Sequence, residues 1–278
     1  MIYIEIEFKL APFNPWNEVL VAYLADLEFE SFQEDNPILR AYISEDSFNN
    51  LKFEKLIAEL KAINELEFSY DLNKIPQQNW NAVWESQFEP VFIENKLRII
   101  APFHERSDFN GQTIIIEPKM SFGTGHHQTT YLMCKRMFDL ALKNKHVLDM
   151  GSGTGVLAIL AEKLGAKNVE AFDIEPWSVE NCDENALKNE CSKITSLLGD
   201  IELVQGKYDV ILANINKNVL KRQIPYYSKL INSKGHLLLS GFFFSDVDEI
   251  NDYAIENGFE IVNSDNRESW SMLHFTKI

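Results

Sequence analysis

The stretch VLDMGSGTGVLAILAEKLGA, residues 147 to 166, constrains this chain more than any other. A short apolar run ends in an acid, three glycines follow at alternate positions, and a strongly apolar helical pattern begins at once. Glycines at Gly151, Gly153 and Gly155 allow backbone to approach a ligand with no Cβ in the way, where a helix N-terminus points its N–H groups outward. A second acid, Asp173, closes the next apolar run, VEAFD, where a carboxylate accepts hydrogen bonds from ribose hydroxyls. This pattern predicts the first half of a parallel, doubly wound sheet holding a nucleoside-containing cofactor.

The rest of the chain agrees with that reading. From residue 113 the apolar runs TIIIEP, HVLDM, NVEAFDI, YDVILANI and HLLLSGFF alternate with helical patterns, and a pair of runs closes the chain, so the carboxyl ends of the strands are where a ligand is expected. Residues 1–75 read differently. IYIEIEF and LEFSYDL alternate with period two, ILRAYIS and SFQED supply two more strands, and apolar residues at helical spacing mark helices from Trp16 to Leu27 and from Phe53 to Ile63. The order βαββαβ predicts a small α+β, ferredoxin-like domain, assigned to substrate recognition. Between them, residues 76–112 read as a linker helix and strands, with Trp80, Trp84 and Phe88 on one helix face. The expected fold is therefore α/β: a Rossmann-like doubly wound sheet over 113–278 behind a small α+β domain.

Charge and spacing narrow the cofactor. The net charge of −16 opposes a polyanionic partner, so no direct nucleic-acid binding is expected. A dinucleotide fingerprint needs its third glycine three residues after the second; here Gly155 follows by two and Val156 stands in its place. Asp149, just before the loop, adds a carboxylate that repels a phosphate and favours an ammonium group. Acid, glycine loop and second acid fit the cationic sulfonium of S-adenosyl-L-methionine better than NAD, which leaves an NAD-dependent oxidoreductase as the reading from another class. Cys134, Cys182 and Cys191 form no CxxC pair, and no metal site is expected. With no secretory signal and no apolar run long enough to span a bilayer, the chain is expected to be a cytoplasmic monomer with no membrane partner.

A second glycine loop, PKMSFGTGHHQTT, residues 118 to 130, precedes the first. With VLDMGSGTG, FDIEP, LANI and LLLSGF it resembles the ribosomal protein L-eleven (L11) methyltransferase family over nearly the whole chain. The resemblance implies a class I methyltransferase that uses S-adenosyl-L-methionine to methylate amines of L11, on lysine side chains and/or the N-terminal α-amine. It implies cofactor contacts at Thr130, Gly151, Gly153, Asp149, Asp173, Ile174 and Asn214, and a covering loop at Phe122 and Gly123. Asn214 is also the candidate for orienting the amine; His126 and His127 are read as helix-capping or solvent-facing. Departures are Lys119, Ser121 and Gln128, where the family tends to carry glycine, alanine and proline. Methyltransferases acting on a glutamine amide carry NPPY where this chain has ANINKN. An amide acceptor is thus disfavoured, and an RNA base is opposed by the net charge.

Overall fold

The computed structural model describes residues 2–63, 65–75, 88–119 and 122–278, which separate into two compact units, Met1–Gln87 and Phe88–Ile278. Trp80, Trp84 and the linker helix expected around them lie outside the described residues. The segment from Phe88 to 112, read as linker, packs within the second unit, where Ile93, Leu97 and Ile99 join its core.

The first unit runs β1 (Tyr3–Ala11), α1 (Trp16–Ala25), β2 (Ser31–Asp35), β3 (Ile38–Ser44), α2 (Asn50–Lys61), β4 (Glu67–Ile75). Its antiparallel sheet has the order β2-β3-β1-β4, the ferredoxin-like arrangement. Alternation in β1 buries Ile4, Ile6, Phe8 and Leu10, which meet Leu20 and Leu24 of α1 and Phe53, Leu56, Ile57 and Leu60 of α2 in one core. Asn49 caps α2 by accepting the N–H of Lys52 at 3.1 Å.

The second unit begins with a small sheet of β5 (Val91–Ile93), β6 (Leu97–Ile100) and β7 (Gln112–Ile115). The TIIIEP run therefore pairs with β6 rather than joining the main sheet. There follow α3 (Gln128–Met137), β8 (His146–Met150), α4 (Val156–Lys163), β9 (Asn168–Asp173), α5 (Pro176–Lys188), β10 (Ile194–Leu198), β11 (Tyr208–Asn214), α6 (Lys217–Leu230), β12 (Ile231–Phe243), α7 (Val247–Glu256), β13 (Phe259–Arg267) and β14 (Trp270–Lys277). The seven-stranded sheet has the order β10-β9-β8-β11-β12-β14-β13, parallel except for the pairings of β14 with β12 and β13.

Alternate residues of the central strands face opposite ways, and both faces are dry. Val147, Val169, Val210 and Leu238 pack under α3, α4 and α5; Leu148, Phe172, Ile211 and Leu239 pack over α6 and α7. The strand order reverses between β8 and β11, and the helices that follow them leave to opposite faces. A crevice must open there, at the carboxyl ends of the strands.

α3, which begins at this crevice, is fastened at its other end. Arg136 donates from Nε (3.0 Å) and Nη2 (2.9 Å) to Nδ1 of buried His274 on β14. The His274 proton then sits on Nε2, 3.0 Å from Nδ1 of His236 on β12. Burial first, then the Arg136 and His236 charges, lower the His274 pKa to about 3. The unfolded chain takes up that proton near pH 6.5 and the folded chain resists to about 3, so stability is full above the first value and falls through the window below it. Urea titrations of the wild-type protein and His274→Gln should show the wild type losing about 2 kcal/mol more between pH 7 and pH 5. Parallel pH profiles for the two would refute this account.

Candidate functional site

A cavity of ≈ 580 Å³ occupies the crevice, a size suited to a small-molecule ligand. Its floor is the glycine loop between β8 and α4. Phe172 holds the loop's first turn, its carbonyl accepting the N–H groups of Gly151 (2.8 Å) and Ser152 (3.0 Å). Gly151 has φ +74°, and a Cβ there would land on the side chain of Ile215, just past β11. Asp173 fixes the next turn: Oδ2 accepts the N–H of Gly153 at 2.9 Å and Oδ1 that of Glu175 at 3.0 Å. One carboxylate thus joins the loop to the start of α5 while lining the cavity.

The second glycine loop lies on the first. The Phe122 carbonyl accepts the N–H of Thr154 at 2.9 Å, and the Thr154 hydroxyl donates to the Gly123 carbonyl at 2.7 Å. The approach is so close that a Cβ on Gly153, itself at φ +53°, would fall on the Phe122 carbonyl oxygen. Asn185 of α5 secures the same region from behind, donating to the Thr154 carbonyl at 2.9 Å and accepting the N–H of Glu117 at 2.8 Å. Strand β7, which feeds the covering loop, is held by the next helical turn, where Asn189 bonds both backbone groups of Ile115.

The sequence candidates divide into two groups. Gly151, Gly153, Asp173, Asn214, Ile174 and Phe122 line the cavity, the last two as exposed apolar surface, 64% and 55% accessible. Asp149 and Thr130 do not. Asp149 is fully buried on the α3–α5 face of the sheet, where Oδ2 accepts the N–H of Ala158 at 3.1 Å and so caps α4. Burial is the main reason its pKa is pushed up to about 7, an environment unlike that of a carboxylate meeting a soluble cation. Both threonines are fully buried: Thr129 lines the cavity with its hydroxyl 2.7 Å from Nδ1 of His127, while the Thr130 hydroxyl oxygen has no hydrogen-bond partner among the described residues. His127 caps α3 through Nδ1, which accepts the N–H of Thr129 at 3.3 Å, and burial lowers its pKa. His126 bonds the Glu89 carbonyl at 2.9 Å.

Two parts of the cavity carried no motif in the sequence. One is an aromatic wall: the His127 ring lies edge-on to Phe122 (5.1 Å between centroids) and to Trp270 (4.6 Å) at the start of β14. The other is the end of β10, where Asp200 accepts the N–H of Ile201 (2.7 Å) and the Gln223 amide (2.6 Å) and pairs with Arg222. The pattern GD after an apolar run was the available signal for Asp200. Trp270 had none, since it reaches the site only through the antiparallel return of β14.

The electrostatics separate two classes of cofactor. Among the described residues Asp173, Glu175 and Asp200 line the cavity against one cationic side chain, Arg222, already engaged by Asp200. A pyrophosphate would be repelled; a sulfonium or ammonium would be attracted. Asn214 adds the chemically open group: its Oδ1 is shut off from solvent with no hydrogen-bond partner among the described residues. A buried acceptor without a donor is costly, so this side chain has an unmet hydrogen-bonding need at the cavity wall.

Comparisons with known proteins agree with this geometry. The model of the family described as Ribosomal protein L11 methyltransferase (PrmA) matches residues 19–278. A protein of that name from Phocaeicola vulgatus is 35% identical over 279 residues, 99% of each chain. Another from Porphyromonas gingivalis is 39% identical over 264 residues, 93% of this chain and 90% of its own. Among solved structures, ribosomal protein L11 methylase from Lactobacillus delbrueckii subsp. bulgaricus superposes with a TM-score of 0.64 at 30% identity, covering 68% of this chain and 99% of that one.

The contact between the two loops has a direct test. Gly153→Ala must displace the Phe122 carbonyl and strain a left-handed backbone, so affinity for S-adenosylmethionine measured by calorimetry should fall more than about tenfold with circular dichroism unchanged. Undiminished affinity would show that the loops are not fastened in this way.

Proposed function

The chain belongs to the ribosomal protein L11 methyltransferase family, and on that premise we propose that it transfers methyl groups from S-adenosylmethionine to amines of ribosomal protein L11, on lysine side chains and/or the N-terminal α-amine. The observation that carries the amine reading is Asn214 at the end of β11, a residue of the cavity wall whose Oδ1 has no hydrogen-bond partner among the described residues, beside carboxylates in the same wall. An amine with its N–H directed at that oxygen has its lone pair free to point elsewhere, which is the orientation a displacement requires.

The residues fit the cofactor. The glycine loop at Gly151 and Gly153 leaves room that any side chain would fill, Asp173 has acceptor capacity left for ribose hydroxyls, and Ile174 offers an exposed apolar side chain to a base. Phe122 of the covering loop and Thr130 of α3, whose hydroxyl oxygen is buried with no partner among the described residues, complete the holding set, with Thr129 lining the cavity beside it. When bound, the cofactor supplies an electrophilic methyl group already activated by positive sulfur. The chain's own part is to align the acceptor, exclude water and favour the amine's neutral form. No dedicated general base is assigned.

The same features rank the alternatives. A nicotinamide dinucleotide would bring its pyrophosphate among three carboxylates. An RNA base would bring phosphates to a site whose one lining guanidinium is already paired. A planar glutamine amide would find no proline or aromatic ring in ANINKN. Residues 1–75 are the recognition domain in this reading, and the enzyme works as a cytoplasmic monomer. No helix among the described residues is long and apolar enough to cross a membrane.

Intact-mass spectrometry of purified L11 after incubation with the enzyme and S-adenosylmethionine tests the proposal. Whole-methyl increments are expected with the wild-type enzyme and should disappear with Asp173→Ala. With Asn214→Ala the rate at saturating S-adenosylmethionine should fall on the order of 10²-fold, because alignment of the amine is lost. Full activity of Asn214→Ala would remove that residue from the mechanism, and no increment from a wild-type enzyme that binds the cofactor would redirect the substrate search.

A further inference from the structure

A second cavity, of ≈ 630 Å³, lies beside the first at the same end of the sheet, lined by Phe243, Phe244, Ser245, Asn266, Glu268 and Ser269. It forms where β12 ends against the β13–β14 hairpin. Phe243 pairs with Trp270 in register, and the N–H of Phe244 donates to the Ser269 carbonyl at 2.9 Å, so the floor is hydrogen-bonded backbone. The two cavities share a wall. Trp270, which lines the first, has its ring 4.3 Å from that of Phe243, which lines the second.

The lining has a definite chemistry. Phe243 and Phe244 are 48% and 63% exposed, a large apolar area for adjacent surface positions. Glu268 accepts the Gln128 amide at 2.8 Å through Oε1, and its carboxylate meets no cation among the described residues. Arg267, its neighbour, is drawn away and lies over the Tyr131 ring at 3.6 Å. Among the described residues no lysine, arginine or histidine lines the cavity, so a phosphate backbone would find nothing there to neutralise it. Aromatic faces beside an uncompensated carboxylate instead suit a basic polypeptide: aliphatic lysine stems cover the rings while an ammonium meets the acid.

We infer that this second cavity receives the basic polypeptide segment flanking the target amine, with Phe244 and Glu268 setting specificity for the protein substrate. The inference rests on the protein-amine reading above. It assigns recognition of the chain around the amine to the second unit itself, separate from whatever the first unit contacts.

The test is steady-state methyl transfer at saturating S-adenosylmethionine with L11 varied, for the wild-type enzyme, Phe244→Ala and Glu268→Gln. Each variant should raise the KM for L11 about five- to tenfold while kcat and the cofactor Kd stay within about twofold, as expected for loss of one rim contact. Raising the ionic strength should raise the wild-type KM towards that of Glu268→Gln. Both positions are exposed, and Glu268→Gln keeps the bond to Gln128 within reach, so matching thermal midpoints are expected. Variants that turn over with unchanged KM overturn this inference alone. A wild-type enzyme that binds the cofactor but transfers nothing to L11 overturns it together with the amine reading.

Discussion

The site depends on one close approach, the seating of the Phe122 carbonyl on Gly153. Each glycine loop alone is an ordinary strand-to-helix connection; stacked, they become a floor and a cover. Thr154 makes the seating specific, because its N–H and its hydroxyl both reach the covering loop, at Phe122 and Gly123. Asn185 then ties Thr154 to the strand from which that loop departs. A buried asparagine is costly unless its amide is satisfied, and this one is satisfied by bonding two segments that no regular ladder connects. The covering loop is therefore positioned by the same residues that shape the floor, and displacement of one displaces the other.

Much of this was legible in the sequence, and the failures have physical causes. The glycine loop, Asp173 and Asn214 line the cavity because each lies at the carboxyl end of a parallel strand, where the chain direction alone puts them on the crevice. Thr129 and Thr130 stand about 100° apart around α3, and a motif quoted as a pair does not say which member lines the cavity. Asp149 is near the loop in sequence but does not line the cavity, because its strand position sends the side chain to the opposite face from Met150, under α4. Strand β10 went unmarked since it is a half-exposed edge with the polar run ITS, and α6 carries Pro225 in its interior, which weakens a helical reading. Trp270 and the second cavity arise from non-local pairing, which no local pattern encodes.

Sheet order also resolves a conflict in the chemistry. Carboxylates that attract a cationic cofactor would stabilise a lysine ammonium as well, and an ammonium cannot act as a nucleophile. The strand order keeps the two needs apart. Asp173 and Asp200 stand at the ends of β9 and β10, on one side of β8; Trp270 stands at the start of β14, on the other side, with Asn214 of β11 between them. At the Trp270 side the walls are aromatic, and His127 joins them as a neutral ring because burial lowers its pKa and its Nδ1 is committed to capping α3. In the proposed reaction an amine entering there would lose water without gaining a counter-charge, which lowers its pKa, while Asn214 would offer a dipole that aligns an N–H without stabilising a full positive charge as a carboxylate would. On the proposed reading, an asparagine rather than an aspartate at the end of β11 suits amine chemistry in a cavity that is otherwise acidic.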